Sequence, residues 1–198
     1  MTSNQKNVAV FALTTVLVGI PTTVLVLTRG SDVEALGLVL RITARTAMLL
    51  YILVFIARPL RQLTSTAPAF LTANRRHLGI AMSAVMTVHL GFIVWLHGFV
   101  IDVRIPSPVL IAGGFAYSLM YLMLITSFDR SAALLGRRNW RRLHKTGLFW
   151  IGIVFAYTLV AGGLPLGPIR MLLAILFVAA VALRFAAAMK KSLKHGSG

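Results

Sequence analysis

The stretch LGIAMSAVMTVHLGFIVWLHGF, residues Leu78 to Phe99, decides the fold class of this protein. Its 22 residues include no Asp, Glu, Lys or Arg. At 1.5 Å per residue, a helix of this length extends about 33 Å, which is enough to cross the roughly 30 Å hydrocarbon core of a bilayer. We therefore predict a transmembrane helix here.

The rest of the chain repeats this pattern. Of the 198 residues, 58% are hydrophobic and only 12% are charged, with a mean hydropathy of +0.87. Soluble domains carry about 25% charged residues. We predict an all-α polytopic membrane protein, a six-transmembrane-helix bundle that forms a single domain over 1–198. The predicted helices are 8–27, 36–56, 78–99, 109–128, 143–160 and 169–189.

The basic residues give a prediction of orientation. The net charge is +16, from 20 Lys and Arg against four acids. With six spans both termini lie on one side, and that side receives fifteen of the basic residues, most of them in the predicted loops 58–77 and 129–145. The positive-inside rule then places both termini in the cytoplasm. These loops either set topology and attract anionic lipid or dock an acidic soluble partner; nucleic acid is not a predicted partner.

Several chemistries are excluded by residue type. The chain has no cysteine, and no acid lies within the apolar segments. Disulfides, thiolate metal sites and carboxylate proton relays are therefore excluded. His89 remains as an ionisable group near mid-membrane, about 16 Å into its helix. An imidazole there is either a haem ligand or an interhelical hydrogen bonder.

Three motifs resemble the ferric reductase-like transmembrane family. They are RRHLG at 75–79 followed by His89, LGRRNWRRLH at 135–144, and TARTA at 43–47 followed by ARPL at 57–60. The last of these is similar to the bacterial, MsrQ-like branch of the family, whose members are haem-binding membrane subunits. The resemblance covers about residues 36–160.

This resemblance implies transmembrane electron transfer through haem b. Its iron ligands would be His89 of the third helix and His144 of the fifth. Electrons would pass from a cytoplasmic flavin or NAD(P)H donor to an outside acceptor. No flavin or nucleotide-binding motif occurs in this chain, so a soluble reductase must supply electrons in trans. The protein would then be an electron-transfer subunit rather than a complete enzyme.

Other positions complete the expected site. Relatives carry a second fifth-helix histidine where this chain has Tyr157, which is either a haem ligand or a hydrogen bonder and packing residue. His97, eight residues after His89, is a further candidate for the second ligand. Arg45 either contacts a haem propionate or a quinone-like head group, or extends to lipid phosphates. FMN or a quinone is a secondary cofactor expectation.

A second function class stays open at this stage. Tyr157 stands where relatives have a histidine, and Arg75 stands where the two-haem members have one, whereas the MsrQ-like branch has a basic residue there. The chain can therefore also have kept the ferric reductase-like bundle without haem. It would then act as a structural or assembly subunit of a larger membrane complex. The expected partners are the lipid bilayer, the soluble reductase, and a periplasmic acceptor protein or other membrane subunits.

Overall fold

The computed structural model describes residues 3–29, 32–64, 69–101, 105–161 and 167–196, without the side chains of 191 and 194–196. The described residues are almost entirely helical and include no strand. The helices are α1 Ser3–Arg29, α2 Val33–Leu63, α3 Ala69–Ala73, α4 Arg75–Trp95 with a π-helical turn Leu96–Val100, α5 Ser107–Ile125, α6 Asp129–Ala161 and α7 Pro168–Gly196.

Six of these helices are long and apolar enough to cross a membrane: α1, α2, α4 with its π-helical turn, α5, α6 and α7. The predicted all-α fold with six helices long and apolar enough to span a membrane is therefore confirmed. The predicted segments fall within these helices except at the end of the fourth, because 109–128 runs past the end of α5 at Ile125.

The two predicted basic loops are largely helical. Most of the described part of 58–77 belongs to the end of α2, to α3 and to the start of α4. The basic segment 129–145, predicted as a loop, is helical and forms the first part of α6. The helix is interrupted at Gly136, whose φ of 75° and ψ of 154° lie outside the helical region. Glycine reaches positive φ without a Cβ clash. The chain therefore changes direction there while the basic residues stay in helices.

Helix α2 is central in the bundle, with its most extensive contacts to α4 and α7. The core is built around Tyr51 of α2, which is 1% exposed and stacks on Phe55. Its ring also contacts Phe155 of α6 and Phe177 of α7. Aromatic side chains bury large areas in preferred ring geometries, so this cluster ties three helices together.

Long-range polar contacts define one end of the bundle. Asn4 near the start of α1 accepts a hydrogen bond from the backbone N–H of Asp129, and Asp129 pairs with Arg76 at 2.9 Å. Lys190 of α7 donates to the carbonyl of Leu63 at the end of α2. We call this the basic end. It joins the start of α1, the end of α2, the start of α4, the α5–α6 connection and the last turns of α7.

Candidate functional site

His89 is held by a threonine of the neighbouring helix. Its Nδ1 lies 2.8 Å from Oγ1 of Thr43 on α2. The Thr43 hydroxyl also lies 2.8 Å from the carbonyl oxygen of Val39, one turn earlier in α2. A hydroxyl has a single hydrogen, and the Val39 carbonyl can only accept one. If Thr43 donates to Val39, it accepts from Nδ1 of His89, so the imidazole tautomer sets the donor at this contact.

One of the two neutral tautomers of His89 suits a metal ligand. When the ring proton is on Nδ1, His89 donates to Thr43 and Nε2 keeps its lone pair. Among the described residues, no hydrogen bond involves Nε2. Metal-ligating histidines usually donate their other ring N–H in this way, which orients the ring. In this tautomer His89 has the geometry of an oriented ligand.

His144 is held differently. Its Nε2 lies 3.1 Å from Oγ1 of Thr126, and that hydroxyl donates to the carbonyl of Leu122 at 2.7 Å. If Thr126 donates to Leu122, the proton of the His144 ring lies on Nε2. Trp140 stacks on the ring with centroids 4.0 Å apart and donates to the carbonyl of Thr126. His144 thus joins α6 to the end of α5 through its Nε2.

The two histidines lie at different depths. Tyr121 of α5 donates to Thr87 of α4, so these two residues lie at about the same depth along the bundle. His89 is two residues from Thr87, whereas Thr126, the partner of His144, is five residues from Tyr121 in the opposite direction. At 1.5 Å per residue the two positions differ by about 10 Å along the bundle. Two axial nitrogens on one metal are only about 4 Å apart, given bonds of about 2 Å, so these histidines do not face each other across one iron.

Tyr157 lies on the outer surface of the bundle. It is 56% exposed, whereas Phe155 and Leu159 on either side of it are buried. Residues two apart on a helix are about 200° apart around its axis. Tyr157 therefore points away from the interior that α6 shares with its neighbours.

His97 lies in the π-helical turn that ends the third span, where it is half-buried. It is two turns beyond His89. Arg45 is half-buried and comes two residues after Thr43. That spacing is about 200° around the helix, so Arg45 does not share the face of α2 that meets His89. The structure thus brings neither residue onto the His89–Thr43 contact.

A cavity of about 60 Å³ lies between α4, α5 and α6. Met82 and Met86 of α4 line it, and Met86 is one turn before His89. Its opposite wall includes Met120 and Tyr117 of α5. Methionine side chains are flexible and fill irregular spaces, so this cavity can change shape more readily than the aromatic core.

Tyr117 is the site residue that sequence reasoning missed. Its hydroxyl is buried and has no hydrogen-bond partner among the described residues. It lies one turn from Tyr121, in the direction along the bundle that leads to the level of His89. An unpaired buried hydroxyl costs about 1–3 kcal/mol. The signal available in the sequence was a pair of tyrosines four residues apart, Tyr117 and Tyr121, inside an apolar span.

No group of three or more His, Asp or Glu side chains that could hold a metal ion occurs in the described ranges. A haem iron needs only one or two axial ligands from the protein. Comparison with protein-family models, with curated proteins and with solved structures finds no match to this chain.

Proposed function

We propose that this chain is a haem b-binding membrane subunit that carries electrons across the bilayer. The observation that carries the proposal is the 2.8 Å contact that holds Nδ1 of His89 at Oγ1 of Thr43, while Nε2 makes no hydrogen bond within the described residues. The ring is half-buried in a membrane-spanning helix. Ionisable groups at such depth are costly and mark functional sites.

One haem in this proposal would have a single histidine ligand. His89 would offer Nε2 to the iron, and the buried hydroxyl of Tyr117, which has no hydrogen-bond partner among the described residues, lies at a similar depth for a second ligand or a hydrogen bond. Bound haem b supplies a one-electron carrier. Tyr157 and His144 are not needed in this arrangement, because the first is exposed and the Nε2 of the second bonds Thr126.

The protein's own residues have three tasks in this function. Thr43 orients the His89 ring. By accepting a hydrogen bond from Nδ1–H, it makes Nε2 a stronger electron-pair donor to a metal. The methionines of the adjoining cavity adapt to the flat face of a ligand. The aromatic core around Tyr51 keeps water from the interior.

The distribution of basic residues supports an orientation of the protein in the membrane and a side for each partner. Both termini lie in the cytoplasm, because fifteen basic residues lie on that side. The resemblance to a bacterial branch supports a location in the bacterial inner membrane. A soluble reductase docks at the basic end and delivers electrons there, with FMN or a quinone as an intermediate carrier. A periplasmic protein or another membrane subunit accepts them on the other side. The pattern of 75–89 and 135–144 supports a place in the ferric reductase-like family.

A second candidate is a haem-less bundle that acts as a structural or assembly subunit. The small size of the interior cavity, about 60 Å³, favours it. So does the contact of Tyr51 with Gly152 of α6, where a Cβ would collide with the tyrosine hydroxyl. Side chains thus fill much of the space between the helices.

A pyridine haemochrome spectrum of protein purified from haem-replete cells separates the two functions. The first predicts a reducible Soret band and α-band that His89→Ala abolishes while the protein stays folded. His144→Ala is the matched control and should retain haem. A colourless, folded wild-type protein would establish the structural subunit instead.

A further inference from the structure

A second cavity, of about 610 Å³, lies at the basic end between α2, α4, α5, α6 and α7. One acid and five cations line it: Asp129, Arg58, Arg75, Arg76, Lys145 and Arg184. The acid is already paired, because Asp129 lies 2.9 Å from Arg76. Four cations are therefore left without a carboxylate among the described lining residues. Charged groups in membrane helices are normally compensated by a partner.

Two of these arginines, Arg75 and Arg184, donate to backbone carbonyls of α2 and use only part of their N–H donors there. Pro59 has no N–H, so the carbonyl of Phe55 lacks its helical donor. Arg184 of α7 donates to this carbonyl at 3.3 Å, and Nε of Arg75 donates to the adjacent carbonyl of Val54 at 3.2 Å. A guanidinium has five N–H donors. Each arginine thus keeps donors for a further acceptor.

The arginines also repel each other. Arg58 and Arg184 both lie close enough to Arg75 for mutual repulsion. Among the described residues, Arg58 makes no hydrogen bond or ion pair. An anion between them would convert this repulsion into attraction. Phosphate suits such a site, because its oxygens accept paired hydrogen bonds from the guanidinium fork.

An apolar groove of about 390 Å³ adjoins this cavity at Arg184, which lines both. The groove runs between α2, α6 and α7, and its lining includes Phe55 and Phe149, over whose rings the Arg184 guanidinium lies at 4.3 and 4.8 Å. Ile153 and Phe185 in its wall are 60% and 68% exposed. The groove therefore opens on the lipid-facing surface.

We propose that the basic-end cavity binds the phosphate of an anionic phospholipid, whose acyl chain lies in the groove beyond Arg184. The juxtaposition of a cationic cavity and an apolar groove carries this inference. Basic pockets between transmembrane helices bind anionic head groups. The site is separate from His89, which lines neither space.

Native mass spectrometry of the detergent-purified protein tests the proposal with added phosphatidylglycerol, phosphatidylcholine or inorganic phosphate. We expect retention of phosphatidylglycerol over phosphatidylcholine by at least about threefold. Arg58→Gln should remove this preference without loss of folding, since Arg58 holds no backbone carbonyl. The Arg75→Gln/Arg184→Gln double variant should remove it as well. Arg61→Gln is the matched control, because Arg61 is exposed on the same helix, as Arg58 is, but does not line the cavity.

Three results would overturn the proposal. The first is equal retention of both lipids by the wild type. The second is an Arg58→Gln protein that behaves like Arg61→Gln. The third is displacement of phosphatidylglycerol by millimolar inorganic phosphate, which would assign the cavity to a soluble phosphate compound.

Discussion

Tyr117 and Tyr121 lie one turn apart on α5 with ring centroids 6.4 Å apart, but only Tyr121 has a hydrogen-bond partner. Tyr121 donates to Thr87 at 3.1 Å, whereas the buried hydroxyl of Tyr117 has none among the described residues. The hydroxyl of Tyr121 is therefore structural, whereas the hydroxyl of Tyr117 is available to a ligand.

Tyr117→Phe should stabilise the haem-free protein, since it removes an unpaired buried hydroxyl worth about 1 kcal/mol or more. Tyr121→Phe should destabilise it by about 1 kcal/mol through the lost hydrogen bond. These changes correspond to shifts of about 2–4 °C in opposite directions, measured by thermal unfolding in detergent. With haem present, Tyr117→Phe should lower haem retention. A lower Tm for haem-free Tyr117→Phe would show that its hydroxyl is already satisfied.

Thr43→Val should weaken haem binding about 10- to 100-fold, the range expected when the partner that orients a ligand is lost. Thr43→Ser should keep near-normal affinity, because the hydroxyl remains. Haem titration of the apoprotein by absorbance measures both. Thr28→Val is the control, since the Thr28 hydroxyl bonds only its own helix. Equal affinities for Thr43→Val and Thr43→Ser would remove the orienting role.

Gly152→Ala should destabilise the bundle by about 1–3 kcal/mol, the usual cost of overpacking. The added Cβ would collide with the hydroxyl of Tyr51, which is fixed by its hydrogen bond to the Leu148 carbonyl. Gly113→Ala meets no atom within 4 Å and is the matched control, expected to be neutral or stabilising. Thermal unfolding compares them, and equal Tm values would contradict the α2–α6 packing described here.

Pro59→Ala and Arg184→Gln should be coupled. Arg184→Gln removes the donor to the Phe55 carbonyl, and Pro59→Ala would restore a helical N–H to the same acceptor. Arg184→Gln should therefore cost less stability in the Pro59→Ala background, by about 1 kcal/mol. A double-mutant cycle built from unfolding measurements gives this coupling free energy. Strict additivity would mean that the two residues do not serve one carbonyl.

The proposed orientation predicts a labelling pattern. The chain has no cysteine, so one introduced residue reports alone. In intact cells, cysteine at Ser107, at the start of α5, should react with a membrane-impermeant thiol reagent. Cysteine at Ser131, near the basic end, should react only after lysis, as should one at Ser65, a position outside the described residues. The opposite pattern would invert the assigned sidedness.

Part of the candidate site was accessible from sequence, because depth along a span follows from residue count. His89 and Thr43 both lie within motifs that resemble the ferric reductase-like family, at 75–89 and 43–47. Their contact was not predictable, since it depends on how α2 and α4 are rotated. Tyr157 was chosen by its spacing in a resemblance, and only the packed bundle shows it 56% exposed. Tyr117 was missed for the same reason.

The sequence by itself determined the number of spans, their approximate extent and the end of the bundle that holds the positive charge. Chain length and hydropathy are sufficient for this, because a lipid environment demands about 20 apolar residues per helix. Tertiary structure decided which faces meet, which hydroxyls find partners and where cavities remain. A membrane helix such as α5 is apolar on every side, so its residue pattern does not distinguish an interior face from a lipid face. Only the packing of each helix against its neighbours makes that distinction, which is why Tyr117 is inside and Tyr157 outside.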